Sequence, residues 1–360
     1  MTNRKPSPLL LLFFLLFSFS GSFAQVKIDT SALSVFWELV DTLSLDKQPS
    51  KILWKKFALH PAYAQIERSG NRVFFLKKIL PIVFMPSKAA RLEALMDGAE
   101  SPYQYFAQHL IDVKAKRKPL ENYLRRYEFD VYLDSYLKSL EYLPTDIKPE
   151  EIKLTVYLAL FEDNGFGGEV ITIDLLHLMK GSTAENRDFF AHEFHHSLRS
   201  RSKKYTLYDP DTSQYYPIIQ ALKKMPLEGV ASLLDKRKYF QPAYYNDSLL
   251  NDQQRETVEE FSSLVRLAPS NLAKIDSILG ATLKIEEKGK AIFQQLPWGG
   301  HTIGYYMADA IEKAFGKAKL IEAQYSCLAF FFLYQDAALR NENLYQFSEE
   351  TIAFLKTIGL

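Results

Sequence analysis

Apolar and polar positions along this 360-residue chain fall into three kinds of pattern. Residues 9–17 are an uninterrupted apolar run, shorter than the roughly 20 residues a membrane span requires. Residues 154–160 and 170–175 are rich in β-branched and aromatic side chains, and Asp163-Asn164-Gly165-Phe166-Gly167-Gly168 lies between them. That composition predicts two short strands with a turn-rich connection. Elsewhere the spacing is helical, clearest over residues 103–113, 120–143, 308–315 and 320–335. The short apolar run 329–333 reads as core rather than as a span. The expected fold class is α+β, predominantly helical. The expected parts are a leader over 1–24, a helical region over 25–147, a central core over 148–237 and a second helical region over 238–360. Joints are expected at 144–146 and 242–252, within one compact unit rather than several independent domains.

The central helix carries the chemistry. Ser182-Thr183-Ala184-Glu185 is a capping signal, and Phe189, Phe190, Phe194, Ser197 and Leu198 follow at helical spacing. Within that helix stands His192-Glu193-Phe194-His195-His196, an H-E-x-x-H motif in a chain with only seven histidines. Positions i and i+4 share one helix face, so His192 and His196 can grip one Zn²⁺ while Glu193 takes a proton from its bound water. His195 points about 100° away from His196 on the helix wheel and belongs to packing. Arg199 reads as a solvated helix end. A third ligand is needed. Metzincin spacing is excluded, because Arg199 and Ser202 stand where Gly and His would be required. The best candidate is Glu228, beside the inward stripe Leu227, Val230, Ala231 and Leu234 on a helix opened by Pro226. Gly229 is expected to let that helix press against the motif helix. Asp209, Asp211, His177 and His301 are rivals.

His192-Glu193-Phe194-His195-His196-Ser197-Leu198-Arg199 followed by Leu227-Glu228-Gly229-Val230-Ala231 resembles the H-E-x-H-H-x-x-R … E-G-x-A pattern of a largely uncharacterised family of zinc-dependent peptidases of the gluzincin type. The resemblance implies a zincin-like core of small sheet plus motif helix, zinc ligands at His192, His196 and Glu228, and Glu193 as general base. Relatives often place Asp four residues after the glutamate ligand to orient a ligand histidine. Here that position is Ser232, leaving Asp235 or Asp188 for the task. Zincin folds also place an edge strand beside the metal, where a peptide can add as one more strand, and the runs 154–160 and 170–175 suit that role by order.

A further helix is expected from His301 to a stop at Gly316, with Ile303, Met307, Ala310, Ile311 and Ala314 inward. His301 and Tyr305 share one face of it. Either is a candidate donor to the oxyanion of peptide hydrolysis, with Tyr306 as substitute. The expected function is zinc-dependent cleavage of peptide bonds. The alternative is a non-catalytic zinc-binding envelope protein, a degenerate peptidase acting in recognition, which the intact Glu193 disfavours.

Composition narrows partners and location. A net charge of +1 provides no broad basic field, so nucleic acid is not an expected partner; the basic run 199–204 reads as a solvated loop. The expected partner is a peptide or protein substrate. Arg4 and Lys5, the apolar run and Ser22-Phe23-Ala24 form a signal peptide with Gln25 as the new N-terminus, followed by no stable membrane span. The single Cys327 cannot form an internal disulfide. An exported chain without disulfides points to the bacterial periplasm or secretion.

Overall fold

The computed structural model describes residues 25–68, 70, 72–99, 101–127, 132–144, 146–148, 152–202, 214–245 and 250–358. The expected leader, residues 1–24, lies outside the described residues. The chain divides into two compact units that interleave along the sequence. One takes the chain up to Tyr127 together with Ile147–Phe166 and Val170–His177. The other takes Glu128–Asp146, Gly167–Glu169 and Leu178–Leu360. The strands and the motif helix, grouped together by the sequence reading within 148–237, therefore fall into different units.

The first unit holds a four-stranded sheet built from β1 (Gln25–Asp29), β2 (Lys153–Ala159), β3 (Gly165–Phe166) and β4 (Ile171–Asp174), in the order β1-β2-β4-β3. β1 pairs with β2 and β2 with β4 in parallel, and β3 is antiparallel to β4. β1 departs from the helical reading of 25–147. Val26 and Ile28 pair with Leu154 and Val156, and five residues are too few for alternation to stand out in a sequence. The expectation that the two predicted strands offer an edge to a peptide is also corrected. Both are interior, because β1 covers β2 and the chain reverses over residues 167–170 to lay β3 antiparallel on β4; the sheet edges are β1 and β3. Leu154, Val156, Leu158, Ile171 and Ile173 are buried beneath helices that include Ser31–Ser44 and Pro61–Arg68. Asp174 is fully buried. It accepts the backbone N–H groups of Phe161 and Leu176 at 2.8 Å and lies 3.1 Å from His109 Nε2, so its charge is compensated.

The second unit is helical. Its core includes Phe261, Ile303, Met307, Ile311, Phe330, Phe331 and Tyr334; a fully buried Phe contributes ~1.5–3 kcal/mol. Phe330 and Phe331 belong to the run 329–333 that the sequence assigns to the core. Two long amphipathic stretches are broken where a single helix was expected. Residues 320–335 divide between Lys317–Ala323 and Cys327–Ala338, because Ser326 caps a new N-terminus by accepting the Ala329 N–H. Residues 120–143 divide among Arg117–Arg126, Tyr132–Ser139 and a 3₁₀ turn at Leu140–Tyr142. No helix among the described residues is long and apolar enough to cross a membrane.

Candidate metal centre

The motif helix runs Thr183–Arg199 and starts as its sequence dictates. Ser182 Oγ accepts the Glu185 N–H at 3.3 Å, and the Glu185 carboxylate accepts the Ser182 N–H at 2.8 Å, a reciprocal capping box. Phe190, Phe194 and Leu198 are fully buried, with Phe194 edge-on to Tyr136 of the helix Tyr132–Ser139. The histidines are thereby held on a rigid, well-packed element. His192 and His196 stand one turn apart with ring centroids 4.7 Å from each other.

The third candidate arrives from the helix Lys224–Asp235, whose Pro226 lies in the first turn and whose Met225, Val230, Ala231, Leu233 and Leu234 are buried. Glu228 Oε2 lies 3.0 Å from His196 Nε2 and 3.6 Å from His192 Nε2, and the two Nε2 atoms are 3.0 Å apart. A tetrahedral zinc with ligand bonds of about 2.0–2.1 Å requires neighbouring ligand atoms about 3.3–3.4 Å apart. The three observed edges bracket that value. Among the described residues these three form a group whose ligand atoms all lie within 4.8 Å of one another. Two nitrogens and one carboxylate oxygen are also a donor set that suits zinc. The residues present fit the ion.

The ligands are oriented from behind. Asp235, nearly buried, sets Oδ1 3.2 Å from His192 Nδ1, leaving Nε2 free to face the metal position. Lys236 pairs with the other oxygen of Asp235. Asp188, the other carboxylate weighed for this task, bonds to Lys138 and Lys238 instead. His196 Nδ1 has no partner among the described residues. Burial opposes a charged His192, yet the Asp235 and Glu228 carboxylates outweigh it and push its pKa up to about 10. Burial would raise Glu228 as well, but His196 and His301 hold it well below the usual carboxylate range. Glu193 is buried, and that burial raises its pKa.

Gly167 presses on the motif helix. A Cβ built there would come 2.8 Å from His196 Cβ and 3.1 Å from Glu193 Oε2, and the Gly167 N–H bonds to the Glu193 carboxylate. This glycine thus serves the base itself. Lys236 and the Gly167 contact carry no local motif that would have marked them in the sequence.

His301 opens the helix His301–Phe315, which ends at Gly316. Its ring stacks on His192 at 5.2 Å, its Nε2 lies 3.4 Å from Glu228 Oε2, and its Nδ1 lies 3.0 Å from Ser232 Oγ. Burial, ahead of all other influences, pulls its pKa down to about 3. Tyr305 is buried between Phe240, stacked at 5.0 Å, and Phe261, edge-on at 5.7 Å, with its hydroxyl bonded to Arg237. The Tyr306 hydroxyl accepts the Tyr345 N–H at 3.4 Å. The imidazole, not either phenol, is the group found against the ligand cluster. His177 pairs with Asp163 in the first unit, and Asp209 and Asp211 lie outside the described residues.

Two expectations change. The closest approach at Gly229 is to the His301 helix, not to the motif helix. A Cβ built on Gly304 would come 2.8 Å from Gly229 Cα, so the two glycines let the Glu228 helix cross the His301 helix at backbone contact, which brings Glu228 and His301 together. Arg199 is buried, not solvated. It donates to the Gln324 carbonyl oxygen and lies over the Tyr325 ring at 5.7 Å. The sequence shows a charged residue at a helix end, whereas its burial depends on a segment 125 residues later. Asp235, seven residues after Glu228, takes the place beside His192, while Ser232 turns to His301. His195 is fully buried, and burial drives its pKa well below the ordinary value, so it packs as a neutral ring.

No curated protein and no solved structure matches the chain. Residues 54–343, a stretch that contains His192, Glu193, His196, Glu228, Asp235 and His301, match the family DUF5700, whose description is "Putative zinc dependent peptidase". The chain therefore belongs to that family.

Proposed function

We propose that this chain is a gluzincin-type zinc hydrolase that cleaves peptide bonds with Glu193 as general base, built on a zincin-like arrangement of motif helix and ligand helix. The observation that carries the proposal is the triangle of His192, His196 and Glu228 ligand atoms with edges of 3.0, 3.0 and 3.6 Å, beside a buried carboxylate that needs no place in it. Zinc, when held there, polarises a scissile carbonyl and lowers the pKa of a bound water towards about 7. Glu193, raised by burial and steadied by the Gly167 N–H, accepts the proton of the attacking water and returns it to the leaving amine. His301 Nε2, close to the ligand cluster, is placed to donate to the carbonyl oxygen as negative charge develops. The signal-like segment 1–24 supports action outside the cytoplasm on peptide or protein substrates.

Glu193→Gln tests this reading. The variant should hold zinc stoichiometrically, because Glu193 is not a ligand, and should lose peptide hydrolysis. Equal cleavage of a diverse peptide library by wild type and variant removes the catalytic assignment. Stoichiometric zinc with no cleavage by the wild type favours a binding protein instead.

A further inference from the structure

We infer that Trp298 is a positioning residue: it anchors the strained turn from which the His301 helix starts and so fixes His301 beside the ligand cluster. Trp298, Gly299 and Gly300 all take left-handed backbone, with φ of 49°, 63° and 105°. Any residue with a Cβ is strained there, because the Cβ crowds the following carbonyl; glycine is not. Among the described residues, Trp298 and Asp46 are the only non-glycine residues with positive φ. Gly300 also needs the space, since a Cβ there would come 3.1 Å from Cβ of Lys224, the first residue of the Glu228 helix. A Cβ on Gly299 would stand in open space. Trp298 is therefore the side chain of the three that can tie the turn down. Its Nε1–H donates to Glu260 Oε1 at 3.0 Å, and its ring lies 5.4 Å from that of Phe261. Phe261 is fully buried and also meets Tyr305 edge-on. The helix Asp252–Arg266 thus grips the chain three residues before His301 and four residues after it. Between these two anchors the His301 ring stacks on His192, with Nε2 3.4 Å from Glu228 Oε2. Strain at a residue persists where its surroundings over-determine it. A glycine at 298 would relieve the strain and lose the anchor.

The kinetic consequence rests on the hydrolase reading; the placement of His301 does not. The zinc-loaded full chain, Trp298→Gly and Trp298→Phe are compared by NMR of the histidine ring C–H groups, by zinc content and by peptide hydrolysis. Trp298→Gly should fold, since glycine takes the left-handed turn freely, and should hold one zinc. Its His301 signals should shift and broaden as the ring loses its single position, while those of the buried His195 stay as in the wild type. Its kcat should fall roughly 10–100-fold, as expected when a reacting group is displaced by about 1 Å, with KM changed by no more than about twofold. Trp298→Phe keeps a ring against Phe261 without the N–H, and its kcat should lie between the two. His301 signals in Trp298→Gly that match the wild type overturn the inference, and so does a wild-type kcat. Loss of zinc from Trp298→Gly also overturns it, because Trp298 then supports the whole centre rather than His301. Should Trp298→Gly fail to fold, Trp298→Phe decides by the same readouts. If the wild type hydrolyses nothing, the hydrolase reading fails while the NMR result still decides the role of Trp298.

Discussion

Replacing Asp235 by Asn keeps the size of the side chain and removes its charge. Asp235 Oδ1 lies 3.2 Å from His192 Nδ1, and Lys236 holds the other oxygen. Two effects follow. His192 loses the carboxylate that fixes its orientation and basicity, a loss that typically weakens metal binding 10–100-fold, or about 1.4–2.7 kcal/mol. Lys236, only 17% exposed at its side chain, then becomes a poorly compensated cation near the centre. Its positive charge then repels the dication with no carboxylate beside it to offset the repulsion, which moves the outcome to the weaker end of the range. Zinc affinity, measured by competition with a chromophoric chelator, should therefore fall by about 100-fold in Asp235→Asn. The double variant Asp235→Asn/Lys236→Met should recover about tenfold of that loss, since only the orienting term is then missing. Wild-type zinc affinity in Asp235→Asn would refute the orienting role. A double variant no better than the single one would refute the contribution of Lys236.

Other consequences are equally direct. Gly167→Ala forces a methyl group against His196 and Glu193 and should cost ~1–3 kcal/mol of stability, read from the denaturant midpoint, together with most of the hydrolytic activity; a fully active, fully stable variant contradicts the contact. Gly304→Val should separate the Glu228 and His301 helices, which meet at Gly229, with a comparable loss of ~1–3 kcal/mol and weaker zinc binding in the same sample. Burial pushes the Cys327 thiol up to about 12, so at pH 8 only about one molecule in 10⁴ carries the thiolate. Iodoacetamide should leave the native chain unlabelled and label it fully once unfolded. The sign of the linked stability follows: the raised thiol does not penalise the fold at neutral pH, and stability falls as pH rises above the ordinary thiol range towards 12.

Much of the centre is a local property of the chain. The i, i+4 spacing of His192 and His196 puts both rings on one face whatever surrounds the helix, and Ser182 with Glu185 sets where that helix begins; these depend on neighbours within a turn or two. The two strands flanking Asn164-Gly165 are local in the same sense, as are the His301 helix and its stop at Gly316. What the sequence leaves open depends on groups far apart in the chain. Glu228 becomes a ligand only because two glycines, 75 residues apart by their numbers, let their helices cross at backbone contact. Asp235 rather than Ser232 serves His192, because the direction of a side chain across a helix–helix contact is set by the crossing, not by its spacing from Glu228. Pairing with a distant strand turns Val26 and Ile28 into β1, and burial against Gln324 and Tyr325 turns Arg199 from a surface cation into a structural one. Helix periodicity is encoded within a few residues, whereas packing is decided by shape and burial over the whole unit.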